Sequence, residues 1–250
     1  GPDEFTLTRR DGSNMIIGIR TYPVKMHGQT VILGAARDIT DYKKTQDELR
    51  KSYEKLQSVL NDTINALTFA VEKRDPYTAG HQQRVTLLAD AIAERLRLSD
   101  YQKLGLHVAA LVHDVGKIHV PAGILNKPTS LSDAEFALVR DHVVVGYDIL
   151  RTIDFPWQVA EIVLQHHERL DGSGYPRGAK GKEIMLESRI LAVADVVESM
   201  MAHRPYRPAL GKKKAIEELV ANKKRFYDPQ IVNVCIKLLH DRKFHFKEGA

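Results

Sequence analysis

The sequence predicts a mainly α protein: a helical bundle preceded by one long helix and a small β segment. Three observations carry that prediction. From residue 77 onward, apolar residues recur at helical spacing with almost no strand signal. Between residues 41 and 73, large apolar side chains repeat at the four-three spacing of a coiled-coil seam. Before residue 38, two apolar-rich runs flank a hairpin-like link.

The β segment comes first. Residues 5–38 read as strands, with Met15–Val24 and Gln29–Arg37 joined by Lys25-Met26-His27-Gly28. Gly1-Pro2 reads as the remnant of a cleaved tag. Two or three strands bury too little surface to stand alone, so this is expected to be the tail of a domain whose first half is missing. The string Gly34-Ala35-Ala36-Arg37-Asp38-Ile39-Thr40-Asp41 resembles the end of a PAS sensory domain, where an Asp-Ile-Thr turn leads into an output helix. From Asp41 to about Lys73 one long helix is expected. Its seam is Leu49, Tyr53, Leu56, Leu60 and Leu67, with Thr63 or Ile64 filling the last heptad step. Such a seam predicts a parallel homodimer that carries a signal into the helical bundle.

The bundle occupies the remainder of the chain. Residues 77–97 place Val85, Leu88, Ala89, Ile92, Ala93 and Leu96 on one face, with His81 one turn before Val85. Ser99 with Gln102 forms a capping box for a helix running through Leu104, Val108, Leu111 and Val112 into His113-Asp114. Ser132 with Glu135 caps another, expected to turn Phe136, Val139, His142, Val143 and Gly146 inward. Pro156 is expected to open the helix that ends at His166-His167. A helix near 187–202 carries Asp195 among Ile190, Leu191, Ala192, Val193, Val196 and Val197, and Asp228-Pro229 starts the last one. The expected domains are therefore a β segment at 1–40, a signalling helix at 41–73 and a catalytic domain at 74–250.

Composition narrows the function classes. The 43% hydrophobic and 28% charged content is that of a soluble globular chain. No apolar run approaches the ~20 residues of a membrane helix and no signal-peptide pattern opens the chain, so a cytoplasmic protein is expected. The lone Cys235 rules out an internal disulfide and sits at core spacing with Ile231, Val234 and Leu238. Formal charge is +5, with 12 Lys or Arg against 5 Asp or Glu in residues 203–250. That bias favours an anionic partner. Zinc-finger spacing and aromatic-basic interleaving are absent from the sequence, so a small phosphate ligand fits as well as a polymer, and a solvated basic face fits too.

The chemistry lies in the helices. Each delivers a metal-capable side chain on or beside its apolar face: His81, His113, Asp114, His142, His166, His167 and Asp195. One buried histidine is usually a satisfied core residue. Seven such groups in one core are hard to satisfy mutually, because a buried carboxylate needs a cation or strong donors. A pair of divalent ions resolves the problem, and imidazole with carboxylate suits Fe, Mn, Ni, Co or Zn. His27, His240 and His245 fall outside the bundle core, His119 and His203 in loops, and His107 mid-helix without metal-capable neighbours. The stretch His166-His167-Glu168-Arg169-Leu170-Asp171-Gly172-Ser173-Gly174-Tyr175-Pro176 joins a vicinal pair able to reach two atoms to a turn that lets backbone approach a ligand.

His113-Asp114-Val115-Gly116-Lys117 resembles the HD signature of the metal-dependent phosphohydrolase superfamily. The 166–176 stretch resembles the second signature of its HD-GYP subfamily, which hydrolyses cyclic di-GMP. Ala194-Asp195 followed by Arg204-Pro205-Tyr206-Arg207 resembles the third block. The resemblance spans residues 60–245 and implies an HD-type helical bundle. It further implies that His113 and His81 hold one ion with Asp195, that Asp114 bridges both ions, and that His142, His166 and His167 hold the second. Lys117 would sit by the reacting water and scissile phosphate, Gly174 and Tyr175 would line the nucleotide pocket, and Arg204 and Arg207 would contact phosphate. The implied activity is hydrolysis of cyclic di-GMP to linear pGpG by an ion-activated hydroxide, with Fe or Mn the favoured metals. Protein partners through the GYP loop are also implied. Some members hold a third metal with a Glu one turn before the first His. Here that position is Tyr77, which implies a dinuclear site and a slow or absent second cut to GMP. Glu198 stands where the family often has Asp. Two other readings remain: a catalytically weak cyclic di-GMP sensor acting through protein partners, and an HD phosphohydrolase acting on another nucleotide.

Overall fold

The computed structural model describes residues 3–74, 80–202, 209–241 and 244. Tyr77, His203, Arg204, Arg207 and His245 therefore lie outside the described residues. The chain divides into two units, Gly1–Asp62 and Thr63–Ala250.

The first unit holds an antiparallel sheet of β1 (Asp3–Thr8), β2 (Asn14–Met26) and β3 (Gln29–Asp38), in that order. Pairing runs out to Met26 opposite Gln29, which shortens the expected four-residue link to the two-residue turn His27-Gly28. Both turn residues have positive φ, 51° and 82°, the handedness that matches strand twist. Asp38 Oδ1 accepts from the Thr40 amide (2.9 Å) and hydroxyl (2.5 Å), and the Thr40 hydroxyl accepts from the Ile16 amide (2.9 Å), tying the end of β3 to the start of α1 (Thr40–Glu72).

In the second unit the last turns of α1 bury Ile64, Thr68 and Val71, an i, i+4, i+7 stripe. The Thr68 hydroxyl donates to the carbonyl of Leu111 (3.1 Å). The bundle comprises α2 (His81–Leu96), α3 (Asp100–Val112), α4 (Ala122–Leu125), α5 (Asp133–Arg140), α6 (His142–Leu150), α7 (Val159–Gln165), α8 (Leu186–Met201), α9 (Gly211–Ala221) and α10 (Pro229–His240). Its core is Leu88, Ile92, Leu106, Ile162, Ile190, Leu191, Leu219 and Ile231, and α2, α3 and α8 pack on one another around it. Both capping boxes form, Ser99 with Gln102 and Ser132 with Glu135, and Asp228 caps α10 ahead of Pro229. Cys235 is buried, and burial pushes its thiol up to about 12.

Two helices differ from the sequence reading. The run expected to turn Phe136 through Gly146 inward breaks at Asp141 into α5 and α6. Periodicity aligns a face only along one continuous helix, so Phe136 is half exposed while His142, Val143 and Gly146 are buried. The helix expected to open at Pro156 begins at Val159, because Gln158 has non-helical torsions. Pro156 instead accepts a hydrogen bond from the Tyr101 hydroxyl, and Trp157 packs on Gly105.

After α3 the chain tightens into a 3-10 turn, Val115–His119, whose Gly116 lies against the start of α6. A Cβ there would fall 1.9 Å from the His142 carbonyl oxygen and 2.5 Å from the Gly146 nitrogen. Since backbone on both sides would have to move, Gly116→Ala is expected to destabilise the protein by about 3 kcal/mol or more in denaturant titration. Gly123→Ala is the control, with nothing within 4 Å of its added Cβ, and should change stability by no more than about 0.5 kcal/mol.

Candidate metal centre

Helix ends build the centre. His81 opens α2, His113 and Asp114 follow the last turn of α3, His142 opens α6, and His166 and His167 follow α7. Asp195 reaches in from the middle of α8. The C-terminal ends of α3 and α7 carry partial negative charge, which favours cations beside them. His81, His113, Asp114, His142 and His166 are buried to 3% exposure or less.

Among the described residues, two groups have ligand atoms within 4.8 Å of one another: His81, His113 and Asp114, and His142, His166 and His167. Asp114 faces both. Its Oδ2 lies 3.5 Å from His113 Nε2 and 3.8 Å from His81 Nε2, while its Oδ1 lies 3.7 Å from His142 Nε2. Asp195 Oδ1 adds a carboxylate 3.4 Å from His81 Nε2. Lys117 Nζ donates to Asp114 Oδ2 at 2.7 Å.

The imidazoles are oriented from behind. Nδ1 of His113, His142 and His166 lies 2.8, 2.7 and 2.5 Å from the carbonyl oxygen three residues earlier. A carbonyl only accepts, so Nδ1 carries the proton and Nε2 presents a lone pair. All three Nε2 atoms are buried and have no hydrogen-bond partner. Neutral imidazoles with bare Nε2 atoms, facing carboxylates, form the donor set a borderline transition metal takes. The residues present fit such ions. His81 differs, because its Nδ1 bonds Glu198, whose other oxygen accepts from Arg84 Nε (2.7 Å) and Nη2 (2.6 Å).

Several contacts of these residues went unread in the sequence. Glu198 sits one turn after Asp195 on the same face of α8, a spacing that signals a second inward carboxylate. Buried Glu168 accepts from the amides of Arg177 (2.7 Å) and Ala179 (3.0 Å), which folds the GYP loop onto the histidine pair. At Gly174 a Cβ would lie 2.4 Å from the Arg169 nitrogen, so only glycine permits that return. Arg140 lies 4.4 Å over the Tyr175 ring, itself 4.9 Å from the His167 ring, and nothing in the sequence signals this contact. His107, expected to lack metal-capable neighbours, has its Nδ1 2.8 Å from Asp90 Oδ2, because α2 and α3 pack side by side. Its pKa is raised by that bond. His119, expected in a loop, ends the 3-10 turn.

Charge states depend on burial and partners. Burial, with neighbouring imidazoles adding, lowers His142 to about 4 and His166 to about 3, and holds His167 well below its usual range. Burial also opposes the charge on His81, but the carboxylates of Asp195 and Glu198 outweigh it and raise the ring to about 9. Against burial, Lys117 and the histidines hold Asp114 well below the carboxylate range, as His81 does for Asp195. With metal chelated, His142 and His166 gain protons on unfolding below 6.5, so their contribution is lost as pH falls from 6.5 toward 4. The His81 contribution is full below 6.5 and lost as pH rises toward 9. The chelated protein should therefore melt highest near pH 6.5 in a thermal scan series, and a melting temperature rising steadily to pH 9 would contradict the His81 pairing.

Residues 65–231 match the family model described as HD domain. The 3'3'-cGAMP-specific phosphodiesterase 3 of Vibrio cholerae is 39% identical over 177 residues, covering 71% of this chain and 38% of that one. The cyclic di-GMP phosphodiesterase of Thermotoga maritima is 38% identical over 197 residues, covering 78% and 53%. This chain thus spans about half or less of the length of these curated relatives. Among solved structures, a cyclic GMP-AMP specific phosphodiesterase from Vibrio cholerae superposes with a TM-score of 0.57 at 22% identity, covering 73% of this chain and 49% of that one. An HD-GYP-type protein from Bdellovibrio bacteriovorus, Bd1817, gives 0.55 at 17% identity, covering 88% and 94%. At these identities the superpositions speak for the fold alone. The chain belongs to the HD domain family.

Proposed function

We propose that the chain is an HD-GYP phosphodiesterase that hydrolyses cyclic di-GMP to linear pGpG, with two divalent transition metal ions, Fe or Mn, in the centre. The observation that carries this reading is the set of three buried Nε2 atoms without partners around an aspartate whose two oxygens face two ligand groups. In it, His81, His113 and Asp195 would hold one ion, His142, His166 and His167 would hold the other, and Asp114 would serve both. When bound, such ions lower the pKa of water toward neutrality and neutralise charge on the phosphoryl oxygens. Lys117 takes its place beside Asp114, poised to stabilise the charge that develops as the phosphodiester is cut. The Nδ1 bonds to backbone hold each imidazole in register, and the GYP loop with Gly174 and Tyr175 walls the nucleotide side. Arg204 and Arg207 contact phosphate in this reading.

The names of relatives support a cyclic dinucleotide as substrate, and the 39% identity to a 3'3'-cGAMP-specific enzyme favours one second reading, hydrolysis of that mixed dinucleotide. Assay of both with Mn²⁺ or Fe²⁺ separates the readings by kcat/KM, and tight binding without turnover of either would overturn both in favour of a sensor.

The β segment and α1 then act as the end of a PAS domain and a signalling helix, joined in a parallel dimer. Support comes from the seam, where Leu49, Tyr53 and Leu56 are 60–70% exposed. Leu56→Asp is expected to convert a dimer to a monomer in analytical ultracentrifugation, and a wild type that sediments as a monomer at all concentrations would exclude the dimer.

Asp114→Asn should lower bound metal from two ions per chain to one or fewer and abolish turnover, read by elemental analysis and product chromatography. Glu198→Gln, which weakens the carboxylate behind His81, should reduce metal affinity about 10- to 100-fold while leaving the fold intact by circular dichroism.

A further inference from the structure

Resting on the reading of the centre as a cyclic dinucleotide phosphodiesterase, we infer that Arg140 and Tyr175 form a second phosphate subsite, in which Arg140 holds the phosphodiester that is not being cut. Arg140 ends α5, two residues before His142. Among the described residues no carboxylate pairs with it. Its guanidinium instead lies 4.4 Å over the Tyr175 ring and 6.0 Å from the Phe136 ring. The Tyr175 ring also neighbours His167, at 4.9 Å with the rings tilted 35°. One tyrosine thus contacts both a cation that has no carboxylate partner among the described residues and a metal-group histidine.

Stacking fixes the plane of the guanidinium but leaves its N–H edge free, and that edge matches two phosphate oxygens. A cyclic dinucleotide carries two phosphodiesters on opposite sides of one small ring. With one at the metal centre, the other must lie a short step away, and an anion there needs a cation. Arg169 is a second cation beside the same loop, its backbone nitrogen 2.4 Å from a Cβ built on Gly174. Its buried Nη1 lacks a partner, and its guanidinium stacks over Tyr227 at 5.0 Å. Tyr175 is then a positioning residue for Arg140 as well as a wall of the pocket.

The test compares a two-phosphate and a one-phosphate substrate on the full chain with Mn²⁺: cyclic di-GMP and bis(4-nitrophenyl) phosphate. Arg140→Gln should raise KM for cyclic di-GMP at least tenfold while leaving kcat/KM for the one-phosphate ester within twofold. Arg140→Lys, which keeps the charge, should recover part of the loss. Equilibrium binding of cyclic di-GMP to chelated protein should weaken at least fivefold in Arg140→Gln, a readout independent of turnover. An unchanged KM for cyclic di-GMP, or an equal fall on both substrates, overturns the subsite and leaves the phosphodiesterase reading standing. A wild type that cleaves the one-phosphate ester but no cyclic dinucleotide removes that reading, and the subsite with it.

Discussion

The rest of this structure depends on imidazoles tied down at one nitrogen and bare at the other. Each of His113, His142 and His166 spends its Nδ1 proton on a carbonyl of its own preceding turn, a contact a helix end supplies because its last carbonyls lack intrahelical partners. The opposite nitrogens converge in a space from which water is largely excluded. A buried lone pair without a donor costs free energy comparable to a lost hydrogen bond. Three of them around two carboxylates are an arrangement that the apolar core alone cannot compensate. The bundle holds them because its helices are fixed elsewhere, by Leu88, Ile92, Leu106, Leu191 and Ile231.

Much of this was legible in the sequence. Capping residues are local, so Ser99, Ser132 and Asp228 announced their helices correctly. The seven metal-capable side chains stood out because polar groups interrupting an apolar stripe break a simple pattern, and the structure brings all seven together. The break at Asp141 was not legible, since the Phe136–Gly146 periodicity runs through it unbroken. What decides there is tertiary: Gly116 must fit against the His142 carbonyl, and α6 sets its own direction to allow that. The Arg140–Tyr175 contact was equally hidden, because it joins residues 35 apart whose approach depends on how the GYP loop folds back. Glu198 lay between these cases, visible as a carboxylate one turn from Asp195 but not as the partner of His81.

The GYP loop shows how an irregular segment acquires a fixed shape. Glu168 supplies two acceptors to the Arg177 and Ala179 amides, Asp171 closes a turn by accepting from Ser173 (3.0 Å), and the Tyr175 amide returns to the His167 carbonyl (3.3 Å). Backbone donors that a strand or helix would satisfy are met here by side chains. The loop is anchored to the residues that carry the histidine pair, so its position and theirs are one constraint. Replacing Gly174 would push the loop away from Glu168 and Arg169, and with it the ring that touches both His167 and Arg140.

A similar economy governs α1. Upstream of Asp62 its large apolar side chains form a four-three stripe open to solvent, whereas downstream Ile64, Thr68 and Val71 are buried. The buried stripe meets the end of α3, where the Thr68 hydroxyl bonds the carbonyl of Leu111, two residues before His113. A cavity of about 10 Å³ lined by Thr68, Val71, Gln82, Leu111, Val112 and Val115 adjoins that contact. Gln82 is the residue after His81, and its buried Oε1 lacks a partner. The Thr68–Leu111 contact and this small cavity thus join the last turns of α1 to the two helix ends that present His81 and His113.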